Sequence, residues 1–386
     1  MALLDPSIAT AAYLAQLPPA VRLAARLHTE QAHWQGAAGG ALAILIFWFI
    51  LKTGLLPRLR LELERDAPRP WLAAAVCTAS FLALSVLLML PWTVFVAWRS
   101  NMAKAGAAFD ALDFAVATMR LALPLIIIAA AGMTCLLAVV RKAPRTWWIW
   151  CGAVAGPLMI AIVWLPYALA AGPAALPVVP PGPVRDGLVQ LIRDTGLPAR
   201  QIYLNPVAGM DANVAGTPAG AQVWISRGML ESASPAEVRA GVAHLIGHFR
   251  AWDELSMAIL VACLVAGGIY AVHRLYPATA ILMGGRELRG LADPAALPVI
   301  GVILVVWLAL SGVAFNTFDR LVNVRADQYS LDHALEPDGL ASSLVRDWRA
   351  DKVDPGPLEE AIFYDHPSLQ NRVLHAMTWK AAHAKP

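Results

Sequence analysis

Six apolar runs, at residues 38–56, 71–97, 121–140, 147–171, 255–276 and 296–318, constrain this chain more than any other feature. Each reaches or approaches the ~20 apolar residues that carry a helix across a bilayer core. Inside lipid every backbone polar group needs a partner within its own segment, so such runs read as helices rather than open strands. Composition agrees, with 58% of the 386 residues hydrophobic and only 15% charged. Trp71, Trp92, Trp98, Trp147, Trp148 and Trp150 fall near the ends of the runs, where aromatic side chains anchor at the interface. The first run lies too deep in the chain for a signal peptide. The expected class is mainly α, a multi-pass helical membrane protein of a bacterial inner membrane or its equivalent.

A net charge of +3 gives no argument for a nucleic-acid partner. Cys77, Cys135, Cys151 and Cys263 all fall inside the runs without CxxC spacing, which predicts buried apolar thiols rather than a disulfide or a cysteine metal cluster. The runs are nearly free of ionisable residues, whereas ion-coupled transport needs them there. Orientation reads two ways. Arg58, Arg60, Arg65 and Arg69 in one loop and Arg141, Lys142 and Arg145 in another mark a cytoplasmic side by the positive-inside rule, which sets the polar segments outside.

Along the chain, residues 1–37 predict two short amphipathic helices separated by Pro18 and Pro19, and 38–172 a four-span block. The proline-rich stretch 173–183 propagates neither helix nor sheet and opens a water-facing region, 173–254. There, 183–198 reads as an amphipathic helix stopped by Gly196 and Pro198. Gln201–Leu204 and Gln222–Ser226 read as strands, with Gly209, Gly216, Pro218 and Gly220 breaking the chain between them. Two further spans occupy 255–318, and 319–386 is polar and helical.

The stretch Ser234–Trp252 carries the chemistry. Ser234 followed by Glu237 has capping-box spacing. On the helix that follows, His244 and His248 are four residues apart and share a face. That is the metal-binding half of HExxH, in which the intervening Glu is the general base. Here that position is Leu245.

Taken with their order, the segment Asn213–Val214–Ala215–Gly216, the His244/His248 helix, two spans, Arg325–Ala326–Asp327 and His366–Pro367 through Arg372 resemble the integral-membrane zinc metallopeptidases of CAAX prenyl protease 1 type, the a-factor-converting enzymes. The resemblance covers about residues 173–380. It implies a helical barrel enclosing a chamber, with a small α+β, gluzincin-like zinc domain, and a cytoplasmic side for that domain, against the charge bias. It implies also that Asn213–Gly216 is an edge pairing with substrate backbone, that His244 and His248 bind metal, and that Asp327 orients a metal-bound His. By the same resemblance His366 sits beside the reacting carbonyl, with Arg372 in the companion position.

Two positions depart from that pattern. The general base is Leu245 and the third zinc ligand, a Glu in the family, is Asn323. Loss of the base removes a group worth ~10²–10⁴-fold in rate, and a neutral amide is a poor third ligand for a catalytic zinc. The sequence therefore predicts a pseudo-protease that binds a peptide, a lipidated chain or a partner membrane protein in the bilayer. Zinc is its candidate cofactor. The alternative is an active zinc endopeptidase with a surrogate ligand, Asp319 or Asp327, which share a helix face with Asn323, and a surrogate base. Blander readings stand beside these: solvated aspartates at 319 and 327, an Arg372–Asp365 pair, helix-end solvation for Asp253 and Glu254, and an interfacial role for His273.

Overall fold

The computed structural model describes residues 4–102, 108–169, 176–206, 209, 211–217 and 220–384. Pro218, residues 170–171 of the fourth apolar run and residues 173–175 of the proline-rich stretch lie outside them. Among the described residues, six helices are long and apolar enough to cross a membrane: α2 (Pro19–Thr53), α4 (Pro70–Met102), α5 (Ala111–Lys142), α6 (Trp147–Ala168), α10 (Asp253–Leu282) and α11 (Leu297–Ala334). The protein is an integral multi-pass membrane protein, mainly helical. Around these lie the shorter helices α1 (Pro6–Leu14), α3 (Leu55–Leu63), α7 (Pro183–Thr195), α8 (Arg227–Ser232), α9 (Pro235–Ala251), α12 (Pro337–Arg346), α13 (Pro357–Phe363) and α14 (Leu369–His383). Three strands, β1 (Ala199–Asn205), β2 (Ala212–Thr217) and β3 (Gly220–Ser226), complete the fold.

The helix ends follow local chemistry, and several run past the apolar limits. Asp5 caps α1 by accepting from the Ser7 and Ile8 amides, and Asp110 caps α5 through Leu112 and Asp113. The second amphipathic stretch is not a separate helix. No proline follows Pro19 before Pro57, so the segment continues into the first span as the 35-residue α2. The polar 319–334 stretch is likewise the continuation of the sixth span within the 38-residue α11. The cysteines correct one expectation. Cys77 is buried and Cys151 half-buried, but Cys135 and Cys263 are exposed, because apolar thiols on a spanning helix can face lipid as readily as protein.

Two compact units share the chain. One comprises residues 31–156 and 263–311. Its core gathers Ile50, Leu56, Cys77, Phe81, Leu297 and Val299. Arg60 pairs there with Asp293, the two side chains being 5% and 0% exposed. Asp293 also accepts from the Arg289 and Ala295 amides. The Trp147 indole donates to His273 Nδ1 at 3.2 Å, and Trp148 stacks on the same ring. His273 is thus an aromatic-packed residue.

The other unit comprises residues 1–30, 157–262 and 312–386. Its sheet has the order β1-β3-β2, with β1 parallel and β2 antiparallel to β3. Strand β2, read from sequence only through the family resemblance, is a full hairpin partner of β3. Gly216 makes the hairpin feasible. Its φ is +116°, and a Cβ there would lie 2.5 Å from the Gly220 carbonyl oxygen, a conformation open to glycine alone. Val214, Val223 and Ile225 pack against Leu188 and Leu191 of α7 and Val238, Val242 and Ile246 of α9. A second cluster joins Leu14 of α1 to Leu331, Leu340, Val373 and Met377.

Candidate functional site

Helix α9 begins with the capping box its sequence predicts: the Glu237 amide donates to Ser234 Oγ at 3.3 Å and the Ser234 amide to Glu237 Oε2 at 2.6 Å. Its inner face meets α11 at very close range because residue 247 is glycine. A Cβ there would stand 3.0 Å from Tyr329 Cβ and 3.2 Å from Ala326 Cα. That approach brings His244 beside Asp327, the residue following Ala326. At the other end Trp252 adopts the left-handed conformation, with φ 57°. The chain turns there, and the first residue of α10, Asp253, comes back under His248.

The result is a continuous polar array. Arg372 donates to both oxygens of Asp327, each at 2.7 Å. Asp327 Oδ1 lies 2.8 Å from His244 Nδ1, and His244 Nε2 lies 3.0 Å from His248 Nε2. His248 Nδ1 is 2.8 Å from Asp253 Oδ2, and Arg325 donates to the other Asp253 oxygen. Both carboxylates are nearly sealed, at 3% and 5% side-chain exposure. Each outer imidazole nitrogen thus lies within hydrogen-bond distance of a carboxylate that also accepts from an arginine. The two inner nitrogens then face each other, and a single proton or a single cation between them completes the array. Burial pushes the His244 pKa down to about 4, with Asp327 opposing that shift.

The other site residues are arranged less favourably for a metal. Leu245 packs against the apolar cluster behind α9 and has no proton to exchange. Asn323, 3% exposed, points its amide nitrogen at Asp319, donating to the main-chain oxygen at 2.9 Å and to Oδ1 at 3.1 Å. Both oxygens of Asp327 are already committed. Among the described residues, the one group of three His, Cys, Asp or Glu side chains whose ligand atoms converge within 4.8 Å is Asp319, Asp365 and His366, which omits the α9 histidines. The residues present therefore supply two ligands of a three-ligand zinc site and not the third.

His366 is held by a scaffold of its own. Arg320 donates to the carbonyls of Glu360, Ala361 and Tyr364 at the end of α13. Glu360 accepts from the Ser368 amide and the Asn371 side chain at the start of α14. Between these anchors Asp365 lies 3.0 Å from His366 Nδ1, a contact that holds its carboxyl down to about 2. Arg372 pairs with Asp327, not Asp365; Asp365 has Arg349 and His366 instead. His244, Asn323, His366 and Arg372 all line one cleft of about 260 Å³.

Asp253 and Tyr167 are the residues sequence reasoning undervalued. Asp253 was one of two carboxylates at a helix end; its signal was position, two residues past the end of the histidine helix. Tyr167, near the end of α6, donates its hydroxyl to the Val214 carbonyl at 2.6 Å, and nothing in the sequence pairs residues so far apart. Asn213, Val214, Ala215 and Gly216 lie on β2, whose outer side has no neighbouring strand among the described residues.

Residues 183–380 match the family described as Peptidase family M48. A relative named Protease HtpX homolog, from Aeropyrum pernix, is 31% identical over 174 residues, which is 45% of this chain and 53% of that protein. A second of the same name, from Persephonella marina, is 27% identical over 209 residues, 49% of this chain and 72% of that protein. The chain thus spans about half the length of the first of these relatives. The crystal structure of S. mikatae Ste24p superposes with a TM-score of 0.52 at 15% identity, over 77% of this chain and 74% of that one, a likeness of fold. The family match takes in more than half of the chain, and with six membrane helices beside it the protein belongs to peptidase family M48 as an integral membrane member.

Proposed function

We propose that this M48 homologue is a pseudo-protease, binding an extended peptide segment of a membrane or lipidated protein without cleaving it. The observation that carries the reading is the contrast within α9 and α11. Both imidazoles are oriented by buried carboxylates, each backed by an arginine, while Leu245 and Asn323 occupy the positions of base and third ligand. Metalloprotease chemistry needs three protein ligands and an acid–base group at the bound water. Peptide binding needs neither, because a strand edge pairs with a peptide through main-chain hydrogen bonds, and β2 has such an edge, its Gly216 bordering the same small void as His248.

A second reading, an active zinc endopeptidase with a surrogate ligand, is favoured by the convergence of Asp319 with Asp365 and His366. One experiment separates the two. Detergent-purified full-length chain and His244→Ala are compared for zinc per chain by elemental analysis and for hydrolysis of quenched-fluorescent casein. The pseudo-protease reading expects no hydrolysis that depends on His244, whatever the zinc content. Turnover in the natural chain that vanishes in His244→Ala overturns it.

A further inference from the structure

The outer edge of β2 is not vacant. In the β2–β3 hairpin, Thr217 and Gly220 close the turn and pair with each other, and in a hairpin with a two-residue loop that closing pair is hydrogen-bonded. Alternation along the antiparallel ladder then turns the amides and carbonyls of Asn213, Ala215 and Thr217 toward β3 and those of Ala212, Val214 and Gly216 outward. Of these outward groups the Val214 carbonyl sits at the centre, and it accepts the Tyr167 hydroxyl at 2.6 Å. An incoming strand would place an amide N–H there.

Tyr167, Trp164, Gly216, His248, Trp252 and Asp253 border a void of about 20 Å³, room for about one water. Tyr167 follows Pro166 in the last turn of α6. Proline supplies no N–H, so the Ile162 carbonyl lacks its helical donor, as the Ala153 carbonyl does opposite Pro157 earlier in the same helix. The plug is thus mounted on a terminal turn that lacks one backbone bond.

We infer that Tyr167 is a built-in occupant of the peptide edge, standing in for one ligand amide, and that a bound peptide displaces it. The inference rests on the peptide-edge reading above. It assigns Tyr167 a gating role: its hydroxyl competes with the ligand, and removing that hydroxyl tightens binding.

The test is fluorescence anisotropy of fluorescein-labelled β-casein, an unfolded chain, titrated with the detergent-solubilised full-length protein. Tyr167→Phe keeps the ring and removes the competing hydrogen bond, and is expected to tighten binding about two- to tenfold, the worth of one such bond. Tyr167→Leu, which also removes the ring, is expected to shift affinity the same way. Ala212→Pro, at the first position of the strand where proline is tolerated, deletes an outward amide and is expected to weaken binding about two- to tenfold in the natural and the Tyr167→Phe backgrounds. Monodisperse elution and an unchanged helical circular dichroism spectrum check each variant's fold. Binding that Ala212→Pro weakens but that Tyr167→Phe and Tyr167→Leu leave unchanged or weaken overturns the gate and leaves the edge reading standing. Binding by none of the forms, or binding indifferent to Ala212→Pro, overturns the edge reading and the gate with it.

Discussion

Asp327 is the residue whose removal tests the site's architecture most directly. Its carboxylate, 3% exposed, accepts two hydrogen bonds from Arg372 at 2.7 Å and stands 2.8 Å from His244 Nδ1. Asp327→Ala leaves the Arg372 guanidinium, itself only 16% exposed, without its counter-charge, and frees the His244 ring. Breaking one side of a buried pair costs about 3–5 kcal/mol. For a cooperative unit of 150–250 residues each kcal/mol lowers Tm by about 2–4 °C, which predicts a loss of about 6–20 °C. The fourteen tryptophans make intrinsic fluorescence in detergent a suitable readout. The double variant Asp327→Leu/Arg372→Leu removes both charges together and is expected to recover at least half of the loss, since apolar replacement of a whole buried pair is often close to neutral. A shift under about 2 °C for Asp327→Ala, or a double variant as damaged as the sum of the singles, refutes the argument that this pair is a sealed electrostatic support for His244.

Two further outcomes follow from the same geometry. Gly247→Leu drives a side chain into Tyr329 and the Ala326 backbone, so it is expected to destabilise by about 1–3 kcal/mol as overpacking does and to abolish any zinc retained by the natural chain; retention of both stability and metal content argues against the close α9–α11 approach. In chelator-treated protein, His244 protonates at about 4 when folded and near 6.5 when unfolded, so between those values the unfolded chain binds more protons and stability falls as pH is lowered through that window. Thermal unfolding across pH 4–7 checks the slope, which His244→Phe is expected to flatten.

What the sequence made legible was local. Ser234 with Glu237, and His244 with His248, are fixed by separations of three and four residues on one helix, so their geometry follows from helical periodicity. The six spans follow from length and apolarity in the same way. The pairings that give the site its character cross large separations: Asp327 with Arg372, Asp253 with Arg325, Tyr167 with Val214. None has a pattern within a window of sequence. Asp253 was misjudged because a left-handed residue as bulky as Trp252 is uncommon outside glycine and asparagine, so the abrupt return of the chain under His248 was not foreseeable from helix-end rules. Strand β2 was obscured by its own glycine and the neighbouring Pro218, both of which punctuate a chain when read locally.

The packing of Leu245 bears on whether activity is recoverable. Its side chain lies against the apolar cluster formed by the sheet, α7 and α9, so it has become part of the mortar of the domain as well as an absence at the active centre. Reinstating glutamate would set a carboxylate against that wall, an exchange that forfeits packing and carries a desolvation penalty, and a metal incompletely held by Asn323 would do little to offset it. On the pseudo-protease reading, a single Leu245→Glu exchange is a step downhill in stability with no gain in turnover until position 323 changes as well, so the two positions depend on each other and one of them is set in the hydrophobic core.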